Sequence, residues 1–498
     1  MNADDAADAQ TLPESAVEDR APGQRNYDLT PPPPLIEFMS QGWADPPRVP
    51  ADRHPGADFM QRRRERLSQA FPGKHIVVPS GRPKVRSNDT EYRFRPGTDF
   101  FYLTGQDEPG CVLLMRAGET GHEATLYVEP RGDRSTPAFF TDALRGELWV
   151  GPRRGLAETA EHLGIECAPL SRLDEDLAAL ASEPAVALHG VDSSVDEHLQ
   201  GSDDDATLGT ALSELRLIKD AYEVRQMERA VAATIRGFED AVRAMPDAME
   251  RGERVIDGVF HLRARVDGNE TGYDTIAASG PHATILHWHR NDGEVRPGEL
   301  LLLDAGVETD QLYTADVTRT IPVSGRFTPQ QRELYDIVLR AQEAAIAEVR
   351  PGADFLDPHR AAMRVLAQAL IDMGLLRGTL EEVLDPERQL YRRYTRHGTS
   401  HMLGLDVHDC SHARDEEYRH GTLQPGMVLT VEPGLYFQLD DLTVPEHLRG
   451  IGIRIEDDVV VTDDGCRLLT AALPRHPDDI ERWMAGLSEE EPQLRRPF

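Results

Sequence analysis

Cysteine is scarce in this sequence: Cys111, Cys167, Cys410 and Cys466 are the whole supply in 498 residues, and no two stand in CxxC spacing. That argues against a disulfide framework and a thiolate zinc site, and a reducing cytoplasm is the expected compartment. Long apolar runs are missing too. Nothing approaches the ~18 residues of a membrane-spanning helix, the block from Leu300 to Leu303 being short of it. The amino terminus reads Met-Asn-Ala-Asp-Asp, acidic where an export signal is basic and then apolar. Positive charge is the third shortage: 54 Lys+Arg face 87 Asp+Glu, a net of −33. Affinity for nucleic-acid phosphates comes from clustered Lys and Arg, so a nucleic-acid partner is not expected. What remains is an acidic chain expected to act in solution and long enough for about three folding units.

Residues 1–57 hold 10 of the 35 prolines, including Pro31 to Pro34, and read as a disordered or extended acidic leader. From residue 58 the texture changes to short apolar runs separated by Gly, Pro and Asp. His75-Ile-Val-Val, Phe100-Phe-Tyr-Leu, Cys111-Val-Leu-Leu-Met and Ala124-Thr-Leu-Tyr-Val read as strands, with helices at 59–71 and 171–180. Residues 58–212 are therefore expected to form one α/β domain. Asp220-x-x-Glu223 is a capping box, and Val224, Met227, Val231, Ile235, Phe238, Val242 and Met245 follow at helical spacing, so one long amphipathic helix begins there. A second helix is expected at 255–266, then strands. Thr328-Pro329 opens another helix that ends at Pro351-Gly352, and Asp357-Pro358 opens its partner. Helix, helix, strands thus occurs twice, over 213–325 and 328–470, which hints at an internal duplication. The expected catalytic domain spans 213–475, with 476–498 as a tail.

Nine of the 18 histidines fall between His282 and His420. In the same region Glu299-Leu-Leu-Leu-Leu-Asp304 reads as a buried strand that ends in a carboxylate, and burying that charge alone is costly. Twelve residues on, Leu312-Tyr-Thr-Ala-Asp316-Val-Thr-Arg-Thr has strand character, and a hairpin would set Asp316 beside Asp304. Two more strands repeat the pattern: one ends in Glu432, and in Ile451-Gly-Ile-Arg454-Ile-Glu456 the alternation puts Arg454 and Glu456 on one face. Four carboxylates crowded together need a cation, and oxygen-rich sites suit hard or borderline divalent ions such as Mn²⁺. His397-Gly-Thr-Ser-His401-Met-Leu-Gly-Leu-Asp-Val-His408 supplies candidate nitrogen ligands among glycines.

Two Asp, one His and two Glu in this order resemble the five-ligand site of the pita-bread metallopeptidases. The stretches around His287, Asp304, Asp316, His397 to His408, Glu432 to Tyr436 and Arg449 to Asp458 resemble the aminopeptidase P branch in particular, and the likeness covers about residues 58–480. Arg86-Ser-Asn-Asp89-Thr-Glu-Tyr92 resembles that branch's amino-terminal domain. The resemblance implies an α/β (α+β) protein in which an amino-terminal α/β domain precedes a pita-bread (creatinase/aminopeptidase-like) domain with pseudo-two-fold duplication. It implies two divalent metal ions, most simply Mn²⁺: Asp304 on one, Asp316 and Glu456 bridging, His401 and Glu432 completing the second. It implies cleavage before proline in Xaa-Pro-Yaa peptides by metal-activated water, with Glu432 as proton shuttle and His408, His287 and His397 facing the substrate. Tyr436, Arg454, Arg419, Asp89 and Trp149 are the candidate substrate contacts, the last two acting across a homodimer or homotetramer. Arg454 has an alternative as a partner that steadies a ligand carboxylate, and Trp149 and Asp89 have alternatives as core and turn residues. His287 is followed by Trp288-His289, an additional histidine.

Two other functions fit parts of this pattern. Prolidases, which cut Xaa-Pro dipeptides, use the same five ligands and differ only in the pocket beyond proline. A non-catalytic relative that binds peptides or proteins would lack ligands, and here none is missing. Creatinase-like hydrolysis without metal has no use for the carboxylates.

Overall fold

The computed structural model describes residues 31–44, 49–88 and 90–488. Most of the proposed leader lies outside them. Within it, Pro33–Met39 forms a short helix that buries no residue.

The amino-terminal domain is built on a five-stranded sheet in the order Glu166–Pro169, Gly121–Val128, Val112–Gly118, His75–Pro79, Ala185–Ala187. His75–Pro79 is buried along its whole length, antiparallel to Val112–Gly118 on one side and parallel to Ala185–Ala187 on the other. Helix Ala57–Ala70 buries Met60 and Leu67. One expected strand is a helix: the run Phe100-Phe-Tyr-Leu lies inside helix Thr98–Thr104, every residue from Phe100 to Thr104 buried. A continuous apolar run without alternation fits a buried helix as well as a strand. Gly105 ends the helix at φ 71°, and a Cβ there would lie 2.7 Å from Met60 Cε.

The domain also ends later than residue 212. Helix Asp205–Leu217 runs through that point, and the junction is the short link before helix Ala221–Arg243. Asp220 caps the latter helix as its sequence requires, accepting from the N–H groups of Tyr222 and Glu223, while Glu223 reaches back to the Asp220 N–H. The expected continuation to Met245 is cut at Ala244, because Pro246 opens a separate helix, Met245–Arg251. The cap doubles as a joint: Arg63 of the first domain pairs with Asp220 at 2.8 Å and Glu223 at 3.4 Å. Phe101, Leu103, Leu208, Tyr222, Leu403 and Leu405 belong to one buried apolar cluster, so the two domains share core.

The second domain repeats its element order. Helices Ala221–Arg243 and Arg254–Asp267 precede the antiparallel strands Ile276–Ser279, Leu300–Ala305 and Val317–Pro322, and helices Pro329–Glu348 and Asp357–Asp372 precede a second strand group. That group holds Val428–Val431, Asp457–Val461 and Cys466–Leu468 in one sheet and Gly434–Phe437 with Ile451–Arg454 in another. The two halves meet where Glu456 N–H donates to Thr318 O at 3.0 Å and Thr320 Oγ1 donates to Arg454 O at 2.9 Å. Residues 476–488 are not a tail. They include helix Pro477–Ser488, and Ile480, Met484 and Leu487, at spacings of four and three, bury its inner face in the catalytic core.

Candidate metal centre

The hairpin expected from sequence forms. In the register of Leu300–Ala305 with Val317–Pro322, Asp304 faces Thr318, and Asp316 lies just before the second strand. Tyr273 Oη stands between the two carboxylates, 2.7 Å from Asp304 Oδ1 and 2.6 Å from Asp316 Oδ1. One phenolic proton cannot satisfy both oxygens at once. Glu432 follows Val428–Val431, and Glu456 lies between Ile451–Arg454 and Asp457–Val461. His401 completes the group: its Nε2 is 3.3 Å from Asp316 Oδ2 and 3.5 Å from Glu432 Oε1. Ligand atoms of Asp316, His401 and Glu456 lie within 4.8 Å of one another. Asp304 and Glu432 border that trio, so the structure brings all five expected ligands together.

The electrostatics of this cluster call for positive charge. Glu456 is 1% exposed, and while its Oε2 accepts from Thr318 Oγ1 at 2.6 Å, Oε1 is buried without a hydrogen-bond partner. Burial, then repulsion by Asp316, Glu432 and Asp304, raises its pKa well above the carboxylate range. Burial also raises Asp304, against the opposing pull of Arg454. At ~4 Å and an effective dielectric near 20, each pair of like charges costs about 4 kcal/mol, a penalty that a bound cation reverses. Four carboxylates and one imidazole suit a hard or borderline divalent ion, and the unfilled Glu456 oxygen fits a ligand site.

Around the ligands lies a cavity of about 510 Å³, lined also by Tyr273, Ile276, Leu286, His287, His289, His397, Ser400, Val407 and His408. His287, His397 and His408 thus all reach it, as expected. His408 lies edge-on to His401, ring centroids 4.5 Å apart. Burial and the neighbouring His401 lower its pKa, which keeps the imidazole neutral. His397 Nε2 is 2.7 Å from Tyr436 Oη, and its Nδ1 is 3.3 Å from Glu432 Oε2. Burial alone would raise Glu432; the His397 contact and the charges of His397 and His401 outweigh it, so Glu432 is held ionised.

The substrate contacts expected from sequence separate. Arg454 is 4% exposed and committed to site carboxylates and hydroxyls: it pairs with Asp304, donates to Thr318 Oγ1 at 3.2 Å and to Tyr436 Oη at 3.1 Å. The alternative role, steadying a ligand carboxylate, is the one this geometry fits. Tyr436 stands behind His397 and outside the cavity lining. Arg419 lines a neighbouring cavity of about 410 Å³ with His359, Arg392 and Thr395, which shares His397 and Ser400 with the metal cavity. Trp149 is neither core nor wall: it is 61% exposed, its Nε1 donating to Phe140 O at 2.7 Å. Asp89 lies outside the described residues.

Three site residues were not expected. Tyr273 sits in Thr-Gly-Tyr-Asp with no periodicity to mark it. Thr318 shares a strand face with Asp316, a signal the alternation does contain. Asp458 accepts from the Asp316 backbone N–H at 3.2 and 3.3 Å. The first domain also holds the His401 to His408 loop, since Arg95 donates to Leu405 O at 2.6 Å and Thr98 Oγ1 to Asp406 Oδ1 at 2.6 Å.

Residues 225–463 match the sequence pattern of metallopeptidase family M24, and residues 60–188 match the aminopeptidase P N-terminal domain. Xaa-Pro aminopeptidase 1 of Streptomyces coelicolor is 51% identical over 96% of this chain and 97% of its own. The chain belongs to metallopeptidase family M24. An M24 relative from Escherichia coli, named Xaa-Pro aminopeptidase, is 35% identical over 86% of this chain and 98% of its own. The solved structure of zinc-substituted E. coli aminopeptidase P in complex with product superposes with a TM-score of 0.77 at 33% identity, covering 88% of this chain and all of that one. A second structure, of the same enzyme with the inhibitor Pro-Leu, gives the same score at 32% identity. This M24 chain is accordingly a hydrolase of the metallopeptidase type, and no helix among its described residues is long and apolar enough to cross a membrane.

Proposed function

We propose that this chain is an Xaa-Pro aminopeptidase that releases the N-terminal residue from peptides with proline in second place. The observation that carries the reading is the convergence of Asp304, Asp316, His401, Glu432 and Glu456 on one cavity whose remaining wall bears the imidazoles of His287, His289, His397 and His408. The full-length likeness to relatives of that name supports the substrate, as does the Pro-Leu inhibitor, which is the dipeptide that Xaa-Pro-Leu would leave behind.

Those five residues would hold two divalent ions, Mn²⁺ by the donor set. When bound, such a pair lowers the pKa of water toward neutrality and polarises a peptide carbonyl. The chain's own groups do the rest. Glu432, held ionised between His397 and His401, accepts the proton of the attacking water and passes it to the leaving nitrogen of proline. His408, a neutral imidazole, donates toward the developing oxyanion, and His287, on the same cavity lining, faces the scissile bond. His397, oriented by Tyr436, lines the slot for the proline ring together with Ile276, Leu286 and Val407. Arg454 and Tyr273 keep Asp304 in place.

Four free thiols, two of them buried, fit a cytoplasmic enzyme. The exposed side chains of Leu144, Leu148, Trp149 and Val150 fit a face covered by another copy in a homodimer or homotetramer, where Trp149 and Asp89 would serve a neighbouring site. Light scattering of the purified chain reads that assembly directly.

Hydrolysis of an Xaa-Pro-Yaa tripeptide, an Xaa-Pro dipeptide and an Xaa-Ala-Yaa control by chelator-stripped protein, before and after Mn²⁺, tests the activity. Mn²⁺-dependent cleavage confined to the tripeptide is expected. Preference for the dipeptide would make the chain a prolidase, and no turnover with any divalent ion would overturn the enzymatic reading.

A further inference from the structure

Glu253 precedes helix Arg254–Asp267, and its side chain is fully buried and apart from the metal ligands. A buried carboxylate must find donors, and this one has four. Oε1 accepts from the Ser279 backbone N–H and from His282 Nδ1, both at 2.8 Å. Oε2 accepts from Trp288 Nε1 at 2.8 Å and from the Gly293 backbone N–H at 2.7 Å. The backbone N–H of Glu253 in turn donates to Gly293 O at 3.0 Å. With about four acceptor positions on a carboxylate, none is left over. The His282 ring stacks on the Trp288 indole at 3.9 Å, and a Cβ on Gly293 would come within 2.3 Å of that ring, so glycine is required for the clamp to close.

The four donors bracket residues 280–293, the segment that leaves strand Ile276–Ser279 and carries His287 into the cavity. Among the described residues no hydrogen bond holds the His287 ring; its ring contact is with His289, centroids 5.6 Å apart. The placing of His287 is therefore inherited from the loop backbone, and the loop is gathered at both ends by one carboxylate. We propose that Glu253 is a positioning residue for peptide hydrolysis that acts through His287, with Trp288 and His282 as its side-chain grips. This rests on the reading above that His287 faces the scissile bond.

Glu253→Gln keeps the shape but turns one acceptor oxygen into an NH₂ group facing two N–H donors, which frees one end of the loop. Full-length Mn²⁺-loaded protein is assayed with an Xaa-Pro-Yaa tripeptide as wild type, Glu253→Gln, His287→Ala and the double variant. Bound metal is measured by plasma mass spectrometry, and amide exchange over 280–293 by hydrogen–deuterium exchange. The expected result is a drop in kcat of roughly tenfold or more for Glu253→Gln with bound metal unchanged, faster exchange over 280–293, and less than twofold further loss when the change is added to His287→Ala. Unchanged kcat, or an equal loss in the His287→Ala background, overturns the inference. Should Glu253→Gln fail to fold, Trp288→Phe removes a single donor, and the same non-additivity with His287→Ala is required of it. Absence of turnover by the wild type would sink the substrate assignment instead. Exchange then decides for Glu253, and equal protection of 280–293 in wild type and variant overturns it.

Discussion

Lys219→Met tests how the domain junction supports the loop that carries His408. Lys219 is wholly buried, its Nζ 3.0 Å from Asp409 Oδ2 and 2.6 Å from Arg216 O, and Arg216 Nε lies 3.0 Å from Asp409 Oδ1 while pairing also with Asp99 of the first domain. Two cations thus balance two carboxylates, Asp409 buried and Asp99 partly exposed, and Asp409 immediately follows His408. Methionine nearly matches lysine in shape but leaves a net negative charge in the cluster, and stranding a buried charge costs about 3–5 kcal/mol. At roughly 2–4 °C per kcal/mol for a domain of this size, the unfolding transition should fall by roughly 6–20 °C in scanning calorimetry at pH 7. Adding Asp409→Asn to Lys219→Met removes the stranded charge, so the double variant should lose less than the sum of the singles by about 2 kcal/mol or more. The pH dependence is fixed in sign. Burial would raise Asp409, but Lys219 and Arg216 outweigh it and hold its pKa at about 2. Its ionic contribution is complete above the unfolded value near 3.9 and is lost as pH falls from there to about 2, so the gap between wild type and Lys219→Met must narrow across that window. A variant within 1 kcal/mol of wild type at pH 7, or strict additivity in the double variant, would refute this account.

Three further outcomes follow from the metal centre. Asp316→Ala should leave circular dichroism intact while bound metal and tripeptide turnover both collapse, turnover by at least about a thousandfold; retained turnover would exclude Asp316 as a ligand. Without metal, burial lowers His401 but its contacts with Asp316 and Glu432 prevail and push it up to about 9, so it holds a proton at pH 7 that a metal ion must displace. Titration calorimetry with Mn²⁺ in buffers of different ionisation enthalpy should register at least one proton released, from His401 and from Glu456, whose carboxyl burial also holds above the ordinary range, with affinity rising toward higher pH; a buffer-independent enthalpy would contradict it. Tyr273→Phe removes the phenol between Asp304 and Asp316 and should destabilise the metal-free protein by about 1–3 kcal/mol, a loss that added Mn²⁺ largely restores; a metal-free melting curve like that of wild type would show that the hydroxyl is not needed there.

How much of this was legible in the sequence depends on whether the relevant interaction is local. The Asp220 and Thr328 caps, the amphipathic helix after residue 220 and the Asp304 and Asp316 hairpin are set by neighbours within a few residues, and all are present. Phe100 to Leu103 reads as a strand but forms a helix because a run buried on all sides carries no period, and the packing of Gly105 close to Met60 joins residues far apart in the chain. Helix Pro477–Ser488 has a readable period in Ile480, Met484 and Leu487, although it lies in the segment expected as a tail. In the site, strand ends announced the carboxylates, because a charge that closes an apolar run has few reasons to be there. Tyr273, Asp458 and Arg95 gave no such signal, since each matters only through a partner that folding brings from elsewhere.

The same distinction explains why the metal ligands were easier to read than the substrate contacts. A ligand must be one of few residue types at a strand end or beside glycine, so type and place together restrict it. A substrate wall can be any side chain of the right shape, and here two of the expected contacts, Arg454 and Tyr436, are engaged with Asp304 and His397, Arg454 while also lining the cavity. Both sit on strands that alternate toward the carboxylates, and a guanidinium pointed at several buried carboxylates is drawn to them before any substrate arrives. The Arg on the ligand face of Ile451–Arg454 is thus part of the charge balance of the centre, holding the Asp304 carboxylate directly and the His397 imidazole through Tyr436.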